Sequence, residues 1–159
     1  MSGLLLFHVA ISLVAIVSGF PVVYGFLTAR RYERWTLIFM VTTIATLVTG
    51  FMFPYNGFTP AIGVGILCTA IFIPTAAARY VFRMAGGWRR VFVIGSLVLF
   101  YFNCFVLIAQ SFQKVPALNA LAPTGSEPPF AISQAVLLVV FLIVGFLSVR
   151  RSRAAVLGL

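Results

Sequence analysis

Acidic side chains are almost missing from this sequence: Glu33 and Glu127 are the only two among 159 residues, and aspartate does not occur. Hydrolases built on paired carboxylates, and pumps that relay protons or cations along them, need more acid than this. Histidine occurs once, as His8, and one imidazole cannot build a closed metal site. The two cysteines, Cys68 and Cys104, have no paired spacing, which rules out a disulfide scaffold or a Cys-x-x-Cys redox centre. A glycine loop spaced for phosphates and a Ser/His/Asp constellation are also missing. These gaps argue against conventional hydrolase or nucleotide chemistry. They favour a non-enzymatic role, with no catalytic residues and no metal ligands assigned.

Charge of either sign is scarce, at 8% of residues, whereas 62% are hydrophobic and the mean hydropathy is +1.15. Such a balance belongs to integral membrane proteins. Five apolar runs approach the roughly 20 residues needed to cross a hydrocarbon core of about 30 Å. They cover residues 4–28, 35–53, 60–78, 91–112 and 130–149. The expected fold is all-α, a single transmembrane domain over residues 1–159 with five helices in an antiparallel bundle. The first run reads as a retained anchor, because no basic residue precedes it and arginines follow it.

What charge there is sits in clusters between the runs. Arg30, Arg31 and Arg34 follow the first, Arg79, Arg83, Arg89 and Arg90 lie between the third and fourth, and Arg150, Arg151 and Arg153 follow the fifth. With five spans all ten fall on one side, which predicts the N-terminus outside and the C-terminus in the cytoplasm. The net charge of +9 is therefore a topology signal and not a nucleic-acid surface, which would need its basic residues gathered on one solvated face. The preference for arginine over lysine points to a bacterial source, hence a multi-pass protein of the bacterial plasma membrane. Trp35 and Trp88 abut the arginine clusters as headgroup-layer anchors.

Within the apolar runs a few polar residues stand out. Ser96, Asn103 and Gln110 recur every seven residues in the fourth run and Lys114 follows one turn later, so the four share a stripe. At 1.5 Å per residue, His8, Thr49, Gln110 and Gln134 lie roughly 3 to 7 Å below the outer boundary, on four different spans. Ser12, Thr46 and Asn103 form a second layer at about 12 to 14 Å. The predicted site is a polar cavity opening outward, rimmed by Lys114, Glu127, Tyr55 and Asn56 and floored near Asn103. The outer loop, residues 113–129, would lie over it, and Glu127 has a second role near the N-terminus of the fifth helix.

This site suggests a protein that binds, or eases the passage of, a small amphipathic molecule. A second expectation is an accessory or assembly subunit of a larger membrane complex, its polar stripe and small-residue faces docking on a partner subunit. Ala61, Gly65 and Thr69, and Gly145 with Ser148, mark such faces, between helices or between copies in a homo-oligomer. A third is a small redox protein using a quinone or a haem, with His8 as a ligand and a symmetric partner supplying the second imidazole.

Overall fold

A computed structural model describes residues 3–54 and 57–157, with side chains described through residue 152. The elements are α1 (Gly3–Thr28), α2 (Glu33–Phe51), α3 (Pro60–Tyr80), α4 (Trp88–Lys114), the short α5 (Pro116–Asn119) and α6 (Pro128–Leu157). No strand occurs among the described residues. Five of these helices are long and apolar enough to cross a membrane, which is compatible with an integral membrane protein.

The helix boundaries follow local chemistry. Thr59 caps α3, its hydroxyl accepting the Ile62 amide at 3.3 Å, and Pro60 follows in the first turn, where its missing N–H costs nothing. Helix α1 stops where Ala29 takes a left-handed conformation (φ +54°) and the Arg30 amide reaches back to the Gly25 carbonyl at 3.0 Å. Two helices outrun the apolar stretches that predict them. The run at 91–112 becomes Trp88–Lys114, and the run at 130–149 becomes Pro128–Leu157. Hydropathy marks the hydrocarbon layer, whereas a helix continues into the headgroup layer wherever arginines and polar residues keep its periodicity. The loop between α4 and α6 is correspondingly shorter, carries α5, and tucks Ala122 into a buried position.

Each hairpin packs on itself, α1 on α2 and α3 on α4, while α6 leans on α4 and α1. Helix α4 is the most buried of the long five and α6 the least. Phe100 of α4 is the hub: its ring meets Phe20 of α1 at 5.2 Å, Phe39 of α2 at 6.2 Å and Phe141 of α6 at 5.3 Å, all near edge-to-face. Cys68 and Cys104 are free thiols. Gly65, from one of the small-residue faces, lies under the Phe51 ring of α2.

Candidate functional site

Of the nine residues that the sequence assigns to a ligand site, two meet directly. His8 Nδ1 lies 2.8 Å from Thr49 Oγ1, tying the start of α1 to the end of α2. The Thr49 hydroxyl also reaches the Ala45 carbonyl of its own helix at 2.7 Å, which anchors the pair on α2. Phe53 meets the imidazole edge-on at 5.3 Å. Ser12 and Thr46 turn their hydroxyls onto the Val9 and Thr42 carbonyls of their own helices. Gln134 donates to the Phe105 carbonyl at 3.2 Å, joining α6 to α4, while its Oε1 is buried with no partner among the described residues. Asn103 is half-buried, and Gln110 and Lys114 are exposed. Tyr55 and Asn56 lie outside the described residues.

Glu127 belongs to the loop. The Thr124 amide and hydroxyl donate to its Oε1 at 3.0 and 2.8 Å, and the Ser126 amide to its Oε2 at 3.1 Å. These donors, the Thr124 amide foremost, hold its carboxyl down at about 2, below the ordinary 4.5. A depressed folded value stabilises the turn above pH 4.5, and that contribution fades as pH falls through about 2. The Thr124 and Ser126 amide resonances are expected to titrate with a midpoint near 2; a midpoint near 4.5 would show that the turn does not hold the carboxylate.

A concavity with charged residues in its walls lies at the arginine-bearing end. A cavity of about 70 Å³ is walled by the end of α1 (Val22, Gly25, Phe26), the start of α2 (Glu33, Thr36), Arg79 at the end of α3, the start of α4 (Arg89, Phe92, Val93) and α6 (Ser148, Arg151, Ser152). Arg30 and Arg31, on the link between α1 and α2, complete it. The volume suits several waters or one compact anionic group. A second space of about 290 Å³ is an apolar crevice between α4 and α6. None of the nine predicted residues lines either space.

Side chains set the field in the smaller cavity. Helices α1, α3 and α6 end there and α2 and α4 begin there, so their terminal dipoles largely offset one another. Five arginines face one glutamate. Glu33 is already engaged in a salt bridge with Arg79, whose guanidinium also rests 5.3 Å from the Phe92 ring centroid. Among the described residues, Arg30, Arg31, Arg89 and Arg151 have no carboxylate partner: Glu33 is taken by Arg79, and Glu127 is bound by its own loop at the far end of α4 and α6.

Two hydroxyls sharpen the picture. Ser18, Thr36, Thr42, Thr69 and Thr75 all donate to a carbonyl of their own helix, the usual way to satisfy a hydroxyl away from water. Thr43, Ser96, Ser148 and Ser152 do not: their oxygens are buried and unpartnered among the described residues, and of the four Ser148 and Ser152, one turn apart on α6, line the cavity. Sequence reading treats the arginines as topology markers and misses this site. The shortage of acid was a visible signal, but the concavity and the unsatisfied serines are not properties of the chain order. Comparisons with family models, curated proteins and solved structures find no match to this chain.

Proposed function

We propose that the chain is a multi-pass protein of a bacterial plasma membrane that binds a small amphipathic molecule through an anionic group. In this proposal the helices form an antiparallel bundle with the N-terminus outside, and the site lies at the cytoplasmic, arginine-bearing end. Five arginines among the residues lining one cavity, with a single glutamate beside them, carry the proposal. An isolated cluster of like charges is costly to hold in a concave site, and an anion supplied from outside removes that cost. The Ser148 and Ser152 hydroxyls are free to donate to the same group. No reacting set surrounds them, so the role is binding or passage and not catalysis.

Dodecyl phosphate, a soluble amphiphile with one anionic head, tests the reading on protein purified in a neutral detergent. It is expected to bind saturably, to raise the unfolding midpoint, and to weaken with added salt. Replacing Arg89 and Arg151 together by glutamine should lower its affinity at least a hundredfold, since each charge-assisted hydrogen bond is worth about 1.5–3 kcal/mol. Unchanged affinity in that variant, or no saturable binding by the wild type, overturns the proposal. If the variant instead loses a co-purifying membrane protein, the subunit role takes its place.

A further inference from the structure

We infer that the bound molecule is an anionic membrane lipid, its headgroup in the arginine cavity and an acyl chain in the crevice between α4 and α6. This rests on the anion-binding reading above and adds the source and the orientation of the ligand.

The two spaces share α4 and α6 among their walls, and residues one turn apart on each helix line one and then the other. Val93 lines the cavity and Leu97, four residues on, lines the crevice; Ser148 lines the cavity and Gly145, three residues back, lines the crevice. The crevice runs from Val149 to Leu138 along α6, about 16 Å at 1.5 Å per residue, away from the arginine end. Its walls are apolar apart from the Tyr101 hydroxyl. It also opens sideways: Leu142 and Phe146, on its rim, are 63% and 67% exposed. In a bilayer that direction is acyl chain, whereas the arginine end lies at headgroup depth.

Gly145 keeps the crevice floor low. A Cβ there would meet nothing closer than Leu97 Cδ1 at 4.0 Å, so the missing side chain leaves room and relieves no clash. Ser148, 0% exposed and unpartnered among the described residues, lines the cavity one turn from Gly145 and next to Val149 of the crevice, where the polar join between a headgroup and its chains would fall. Charge selects the ligand at one end and apolar shape at the other. A free anion would use only the first, a neutral lipid only the second.

The test uses full-length protein and native mass spectrometry with three probes: a palmitoyl-oleoyl phosphatidylglycerol, the matching phosphatidylcholine, and glycerol 3-phosphate. Wild type should retain phosphatidylglycerol at least tenfold more strongly than phosphatidylcholine. Gly145→Leu fills the crevice and should lower phosphatidylglycerol affinity about tenfold while leaving glycerol 3-phosphate binding unchanged. Leu142→Trp, at an exposed rim position that leaves the core intact, should do the same and covers the case in which Gly145→Leu fails to fold. The joint Arg89→Gln and Arg151→Gln variant should lose both anionic probes. If both crevice variants bind phosphatidylglycerol as wild type does, the acyl-chain site is overturned and the anion site stands. Equal retention of the two lipids by wild type also overturns it. Failure of wild type to bind any anionic probe removes the underlying reading instead.

Discussion

A Gly95→Val protein is expected not to accumulate in folded form. Even one Cβ at position 95 would overlap the Thr75 hydroxyl and stand 3.0 Å from the Thr75 Cβ and 3.2 Å from its Cγ2. Thr75 cannot step aside, because it is fully buried and its hydroxyl is tied to the Ile71 carbonyl at 2.7 Å. Helices α3 and α4 must then separate along one of the more extensive contacts of the molecule. Overpacking of a rigid core costs about 1–3 kcal/mol per insertion, and a branched side chain between two helix backbones belongs at the upper end. The measurement is the yield of monodisperse protein and its unfolding midpoint in detergent. A companion pair gives the cause: Gly95→Ala alone should destabilise, and adding Thr75→Ala should recover part of the loss, with a coupling of about 1 kcal/mol or more. A stable Gly95→Val protein would mean that α3 and α4 are not this close.

Phe100→Ala is expected to destabilise the fold by about 3–5 kcal/mol, the range for removing a buried aromatic ring. Phe100 is 3% exposed and touches rings from three other helices, so the space it leaves cannot be closed by the movement of one neighbour. Its ring also lies flat on Gly19, where a Cβ would come within 2.5 to 2.6 Å of two ring carbons. The backbone of α1 therefore sits directly on the ring and has no side chain to fill the void. Thermal unfolding of the variant reads the loss, and Phe100→Leu should restore roughly half of it, since Leu recovers much of the volume but none of the edge-to-face contacts. Phe141 joins this hub to the crevice of the lipid proposal, so Phe100→Ala should also weaken retention of phosphatidylglycerol. If the midpoint moves by no more than it does for a surface change, the hub is not where the bundle is held.

The helices were legible because each needs about 20 apolar residues in a row, a property of chain order that survives any packing. The arginine-lined cavity was not legible in the same way. Counting polar residues by depth put His8, Ser12, Thr46, Thr49, Asn103, Gln110 and Gln134 in layers near one end. In the fold, however, Ser12 and Thr46 spend their protons on their own helices, His8 and Thr49 bond each other, and Gln134 bonds α4. A hydroxyl satisfied by the preceding turn and one left facing a cavity look identical in a sequence. Ser148 carries the point: read as part of a close-approach face, it is also a buried hydroxyl with no partner among the described residues.

By itself, the sequence determined five long apolar helices, the gathering of arginine into the links between them, and the near-total shortage of acid to neutralise it. Those are sums over neighbouring residues, and the hydrophobic effect acts on them wherever the helices end up. Only the tertiary structure decided that Arg30, Arg31, Arg79, Arg89 and Arg151 surround one hollow, that Glu33 is taken by Arg79, and that α4 and α6 part beside it to leave an apolar crevice. Which residues face one another depends on the rotation of each helix about its axis. That rotation is fixed by contacts such as Phe100 on Gly19 and Thr75 on Gly95, between residues far apart in the chain.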